Sequence, residues 1–375
     1  MSDPIRVLHV LGRLDIGGAE SRIMDLYRAI DRELVQFDFM IHTTDHCYFE
    51  DEINSLGGRI YHVPRFKVLN YFEYKKAWKE FFKEHREFQA VHGHMTSTGS
   101  IYQPIAKKAG VPITIAHARS AGTDPGLKGL LTKWMRRSLS GKVDYCFACS
   151  TIAGEAVFGQ KAVEENKIIL FPNAIPTEMY LFDPHKREEM REKLGICDRY
   201  VIGHVGRFHY AKNHEFLLEV FTELKKRQEK AVLLLVGDGP LLGSVKEKAK
   251  ELGIEEDVIY TGNQSNVNDY YQAMDYLVFP SRYEGLPGTI VEAQVSGLKC
   301  LVSDAVTREV AMTELVTYFS LEKSPKEWAT MVMEQKDNER RDFREEVQAA
   351  GYDVKEQARK ITDFYMRREK NGSDC

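Results

Sequence analysis

The chain has 375 residues, 43% apolar and 29% charged, with a net charge of −4. That length exceeds what one hydrophobic core ordinarily serves and points to two domains, and the balanced composition excludes disordered and fibrous chains. Residues 1–180 carry 23 Lys+Arg against 21 Asp+Glu and the remainder 29 against 35, an asymmetry too small to argue for nucleic acid.

The opening MSDPIRVLHVL places an acid and a proline before a short apolar run, so it reads as the first strand (5–11) rather than a secretion signal or a membrane span. No apolar run of eighteen residues follows, and the six cysteines are scattered, as expected of reduced thiols in a cytoplasmic protein. In the loop LGRLDIGGAESR, Gly17 and Gly18 precede a helix over about 19–30. Tandem glycines admit a ligand close to the backbone and a helix start attracts phosphate; a plain tight turn with Glu20 on the helix dipole is the alternative.

Strands follow at LVQFDFMI (34–41) and GRIYHV (58–63), and the stretch 65–88 combines seven Lys/Arg with many aromatics. AVHGH (90–94) and ITIAH (113–117) bring His92, His94 and His117 to strand ends. An HxH with a third histidine 23 residues on matches a known zinc spacing, but here the third ends a separate strand of a parallel sheet, so metal is set aside. Ordinary packing and a polar role in a ligand cleft both remain open. Residues 126–142 hold five Lys/Arg and no acid, with Leu127, Leu130, Leu131, Trp134, Met135 and Leu139 on one helical face. That stripe reads as a core face with a basic solvent side, or as contact with anionic membrane. In VDYCFAC (143–149), Cys146 and Cys149 fall on opposite faces of a strand and read as structural, and KIILF (167–171) closes the series.

After the connector FPNAIPTEMYLFDPH and a charged helix, a second series begins: YVIGHVG, AVLLLVG, DVIYTG, YLVFP, KCLVS and VTYFS, again separated by helices. Apolar strands alternating with amphipathic helices predict two doubly wound α/β domains facing one another across a cleft, with ligands at the carboxyl ends of the strands. We divide the chain at 1–175 and 176–353, with the last helix, about 354–370, packing back on the first domain. Residues 336–346 read as a solvated charged face.

Three strand ends of the second domain carry chemistry. In GHVGRFHYAKNHEFL, Arg207 and Lys212 stand beside a helix start and read as an anion clamp, with surface salt bridges as the alternative. LLLVGDGPLLGSV has Gly237 and Gly239 but its third glycine one place late for a dinucleotide fingerprint, so it reads as a tight turn with Pro240 opening the helix. SRYEGLPGTIVEAQVSG puts Glu284 on a strand-end loop and Glu292 just over a turn into the next helix. Such a pair fits a glycosidase's acid and nucleophile or a grip on sugar hydroxyls. The neighbouring phosphate clamp favours the second.

GGAE, the H of ITIAH, FPNAI, GRFHYAKNHEFL, VGDGPL, YTGN and EGLPGTIVE together resemble the retaining glycosyltransferases of family 4, of GT-B fold, over nearly the whole chain. KNHEFLLEVF, VEAQVSGLKCLVSD and TREV look most like the EpsF-type enzymes of exopolysaccharide and capsule synthesis. The resemblance implies that Arg207 and Lys212 meet the donor diphosphate, Glu292 the nucleotide ribose and Glu284 the transferred sugar. His117 then stands near the reacting centre and Gly17 and Gly18 under the donor. Pro287 stands where the family often has glycine, which shifts backbone donation to Gly288 and Thr289. Lys212 is followed by Asn213 rather than glycine, and Ala174 in FPNAI departs from glycine beside Asn173, which can take unusual backbone angles.

The implied partners are a nucleotide-sugar donor, foremost a UDP-sugar, and a saccharide or lipid-linked acceptor, with peripheral contact to anionic membrane and no nucleic acid. No cofactor is expected, and without a D-x-D in the chain no metal. The rivals are a GT-B-fold UDP-N-acetylglucosamine 2-epimerase and a non-catalytic sugar-nucleotide binding module.

Overall fold

Seven strands of the first unit form one parallel sheet: β1 (Ile5–Val10), β2 (Val35–Ile41), β3 (Ile60–His62), β4 (Phe88–Gly93), β5 (Ile113–Ala118), β6 (Tyr145–Ala148) and β7 (Ile168–Leu170). They run in the order β3-β2-β1-β4-β5-β6-β7. The computed structural model describes residues 3–120, 122, 126–336 and 339–366, and it divides into units 1–174 with 354–375, and 175–353. Successive side chains on a strand point to opposite faces, so the sheet separates two cores. Val7, Phe37, Phe39, Ile115 and Phe147 pack with the helix Gly18–Ala29 and with Val354, Ala358, Ile361 and Tyr365 of the final helix, Val354–Met366. Leu8, Val10, Met40 and Val91 face Tyr74, Trp78 and Tyr102 on the other side. Trp78 stacks on Tyr102 with centroids 4.8 Å apart, and each such buried side chain contributes roughly 1.5–3 kcal/mol.

The second unit repeats the plan with β8 (Tyr200–Val205), β9 (Ala231–Val236), β10 (Val258–Tyr260), β11 (Tyr276–Phe279), β12 (Cys300–Ser303) and β13 (Val316–Phe319), ordered β10-β9-β8-β11-β12-β13 and all parallel. Two of its helices begin at side-chain caps that the sequence supplies: Asp183 before Pro184, and a reciprocal Ser324–Glu327 box before Pro325. Gly195 ends the first of these in a left-handed conformation.

All thirteen strands among the described residues lie where the apolar runs placed them; the short helices Glu50–Ser55 and Gln160–Glu164 lacked a readable period. Pro240 sits in the turn, and its helix opens only at Leu242. Residues 336–346 are not simply a solvated face, although 337 and 338 lie outside the described residues. Arg340 turns inward to donate to the Tyr271 and Met274 carbonyls and lies 4.7 Å over the Phe182 ring, while Phe343 is buried. The stripe on helix Leu127–Arg136 also divides. Leu131, Met135 and Leu139 pack inward, but Leu130 and Trp134 are 64% and 72% exposed; the Leu127 side chain lies outside those described. The last helix is described only to Met366, so 367–370 lie outside as well. Among the described residues no helix is long and apolar enough to cross a membrane.

Candidate active site

In each sheet the strand order reverses between two neighbours, β1/β4 and β8/β11, and the loops leaving such a pair diverge to open a crevice. In the second unit the chain leaves β8 at Gly206, where an added β-carbon would meet Lys212 Cε at 3.0 Å, so glycine lets the lysine cross over the strand end. Arg207 is exposed and, among the described residues, has no carboxylate within ion-pair distance. Lys212 lies 4.5 Å over the Phe279 ring, its Nζ 2.7 Å from Glu284 Oε1 but off the line of a hydrogen bond. Asn213 adopts the left-handed conformation (φ 58°), which explains how it replaces glycine there, and its amide donates to the Pro280 carbonyl. The Arg282 amide donates to the Ala211 carbonyl at 2.7 Å and the Arg282 guanidinium covers Tyr210, so the loops after β8 and β11 are tied together.

The helix Gly288–Val295 starts beside the same strand ends, with Thr289 Oγ1 donating to the Val205 carbonyl at 3.3 Å. Pro287 precedes it with φ −74° and has no N–H, leaving Gly288 and Thr289 at the open helix start. Glu292 is buried one turn on, and the Tyr271 hydroxyl donates to its Oε2 at 2.7 Å. Arg207, Lys212, Glu284, Gly288, Thr289 and Glu292 thus gather at one end of one sheet. Gly237 and Gly239 serve packing: β-carbons there would lie 2.3 Å from the Gly206 oxygen and 2.5 Å from that of Phe208.

The first unit gathers its histidines by the same two-residue period. His9 is the register partner of His92, and His117 lies on the same face of β5. His92 Nε2 is 2.9 Å from His117 Nδ1, and the Tyr365 hydroxyl is bonded to His92 Nδ1. His9 Nδ1 is 3.0 Å from His94 Nε2, and Arg119, just beyond β5, donates from Nε to His94 Nδ1 at 3.3 Å and from Nη1 to Asn173 Oδ1 at 2.8 Å. Asn173 contributes this side chain rather than an unusual backbone angle, since among the described residues the positive-φ residues other than glycine are Asn166 and Asn213. Burial pushes His9 down to about 3 and drives His92, His94 and His117 well below the usual imidazole range, with Arg119 adding to the effect. Ring nitrogens of His9, His92 and His94 come within 4.8 Å of one another, but a neutral hydrogen-bonded stack beside a guanidinium disfavours an added cation. His117 is fully buried inside β5 rather than standing at its end. Gly17 opens the helix Gly18–Ala29 without a side-chain cap, and Glu20 folds back so that a Gly17 β-carbon would meet its Oε2 at 2.5 Å.

Residues 16–179 match the model of Glycosyltransferase Family 4 and residues 186–354 that of Glycosyl transferases group 1. Over 96% of this chain and 96% of the relative, the sequence is 36% identical to a protein named as a glycosyltransferase, EpsF of Bacillus subtilis (strain 168). The chain belongs to the family 4 glycosyltransferases. A capsular polysaccharide biosynthesis glycosyltransferase, CapH of Staphylococcus aureus, is 27% identical over 88% of this chain and 90% of its own. In fold the chain resembles the structure of HepE (Alr3699) from Anabaena in complex with UDP and glucose, at a TM-score of 0.77 and 16% identity over 96% of this chain and 99% of that one. The fold of this glycosyltransferase is GT-B.

Sequence reading of the glycosyltransferase missed Tyr271, Arg119 and Tyr365. Arg119 had a signal, a basic residue two places past the His117 strand position. Tyr271 and Tyr365 had none, being tyrosines on helix faces indistinguishable from core positions.

Proposed function

We propose that this glycosyltransferase moves a sugar from a nucleotide diphosphate sugar, a UDP-sugar, to a saccharide or lipid-linked acceptor, with retained anomeric configuration and without metal, in building exopolysaccharide or capsule. The observation that carries this reading is the convergence of two cations and two carboxylates, Arg207, Lys212, Glu284 and Glu292, on the ends of neighbouring β8 and β11. The CapH name supports the polysaccharide and the UDP bound by HepE the nucleotide.

Arg207 and Lys212 neutralise the departing diphosphate, with the Gly288 and Thr289 amides at the helix start adding donors. Glu292, oriented by Tyr271, accepts from a ribose hydroxyl. Glu284, held against Lys212, faces the transferred sugar as an acceptor of hydroxyl hydrogen bonds, and its pairing to a cation weakens it as a nucleophile. The acceptor oxygen attacks the anomeric carbon on the face the phosphate leaves. The carbon–phosphate oxygen bond breaks as the new glycosidic bond forms, and the departing phosphate oxygen takes the acceptor's proton. Gly17 and Gly18 lie under the donor. His117, buried against His92, acts near the reacting centre by fixing what surrounds it.

We place the enzyme at the cytoplasmic face of the membrane, held there by the exposed Leu130 and Trp134 beside Lys133 and Arg137, and by Val68, Leu69 and Phe72 beside Lys67 and Lys75.

The test is a donor-hydrolysis screen over UDP-, GDP- and ADP-sugars, with the product anomer read by NMR. Hydrolysis of a UDP-sugar with retention is expected, falling about 10²–10³-fold in Lys212→Ala. Undiminished turnover in Lys212→Ala and Glu284→Ala, or a covalent sugar trapped on Glu284, overturns the assignment.

A further inference from the structure

Arg119 follows the carboxyl end of β5, in the region where ligands meet a parallel sheet. Two of its five N–H groups are committed, one to His94 Nδ1 and one to Asn173 Oδ1. Both partners are uncharged. Among the described residues no carboxylate lies within 4 Å of the guanidinium, and burial is strong enough to pull it down to about 10. A partly buried cation with no counter-charge among the described residues is costly to keep unless something else depends on it.

The surroundings hold Arg119 in place as a cation. Its Nε–H occupies His94 Nδ1, so His94 carries its proton on Nε2 and gives it to His9 Nδ1. At the other end the buried Tyr365 hydroxyl is hydrogen-bonded to His92 Nδ1, and His92 Nε2 to His117 Nδ1. Arg119, an obligate donor, fixes the tautomer of His94, and burial keeps all four rings neutral. None of the four can supply the missing negative charge. Glu20, the acidic residue whose charge acts on Arg119, is half-buried and folded back onto its own helix start.

We propose that Arg119 is an oxyanion-binding residue on the acceptor side, taking a phosphate or a carboxylate carried by the acceptor through the N–H groups that His94 and Asn173 leave uncommitted. The chemistry shared by a lipid diphosphate and an acidic sugar is a planar or tetrahedral group of anionic oxygens, which a guanidinium meets in two parallel hydrogen bonds. The donor's diphosphate has its own cations, Arg207 and Lys212, in the second unit; the inference rests on that donor reading.

Calorimetry on the full chain tests it with three probes: decyl diphosphate, methyl β-D-glucuronide and UDP, with methyl β-D-glucoside as the uncharged control. One of the two acceptor probes is expected to bind the wild-type enzyme and to weaken at least about tenfold in Arg119→Met, the loss of one charge-assisted contact. Which probe responds identifies the source of the anion. Arg119→Lys should recover part of that affinity, which a merely structural role would not show. UDP affinity stays unchanged in Arg119→Met and falls in Arg207→Ala; if it survives in Arg207→Ala, the donor reading fails and not this one. Should Arg119→Met not fold, Arg119→Gln, whose amide nitrogen takes the place of Nε as a neutral donor to His94, takes its place. The proposal is overturned if neither acceptor probe binds, if binding persists without the charge, or if UDP affinity falls with Arg119.

Discussion

Tyr271 illustrates how little of a site needs to touch its ligand. Its buried hydroxyl gives its proton to Glu292 Oε2 and so fixes the plane of the carboxylate. Replacing it with phenylalanine removes a hydrogen bond to a charged group, worth about 1.5–3 kcal/mol, so Tyr271→Phe should raise KM for the nucleotide sugar about tenfold or more while leaving kcat within about threefold. Steady-state kinetics with a 2′-deoxyribose donor alongside are decisive: a donor lacking the gripped hydroxyl should be indifferent to the change. The buried histidines make a second prediction. His9 is pushed down to about 3 and His204 to about 4, both by burial, from the usual value near 6.5. A folded value below the unfolded one means that the unfolded chain binds more protons as pH falls. Their stabilisation is therefore complete above about 6.5 and is lost as pH drops towards the folded values, by about 1.4 kcal/mol per pH unit for each histidine. The thermal midpoint should fall between about pH 7 and pH 5, and His9→Asn should flatten that fall; a midpoint unmoved over the range speaks against neutral burial.

At the scale of elements, the helices Tyr71–Glu84, Thr96–Lys108 and Leu127–Arg136 pack side by side on one face of the first sheet. In a parallel α/β layer the helices run against the strands, so these three all begin at the carboxyl end of the sheet. Leu69 and Phe72, 101% and 83% exposed, and Leu130 therefore lie at the same end of one layer, with Trp134 one turn further along. Flotation with anionic vesicles at low salt should carry the wild type upward and leave most of a Phe72→Ser/Trp134→Ser double variant behind; equal flotation of both would remove these side chains from any membrane role. The strands were legible because they are short runs of Val, Ile, Leu and Phe bounded by Gly, Pro and charge, and a strand buried on both faces has little else to be. The stripe on Leu127–Arg136 was not legible as divided, because periodicity reports which side chains share a face and not how far a neighbouring helix covers it. Arg340 was misread within a charged run, since its acceptors are backbone carbonyls some seventy residues away. In the second unit, the charged residues of the candidate site could be named from strand ends and helix starts. The hydroxyls and amides that orient them come from elements remote in sequence and carry no local mark.

At the scale of the molecule, the two units have similar sheets but different continuity. The second is one uninterrupted stretch, 175–353, whose first and last residues, Ile175 and Asp353, form a parallel bridge. The first is completed only by Val354, Ala358, Ile361 and Tyr365, four side chains of its core that come after everything in the second unit. Their burial is worth roughly 1.5–3 kcal/mol for each large side chain, together comparable to the whole stability of a domain, about 5–15 kcal/mol. A chain stopped after Asp353 should keep a protease-resistant second unit and lose the first; survival of both would show the last helix to be dispensable. During synthesis the order is then inverted. The first half of the nascent chain leaves the ribosome early and waits, its histidine stack without Tyr365, while the half made later can already fold, and the sheet begun first is the one finished last.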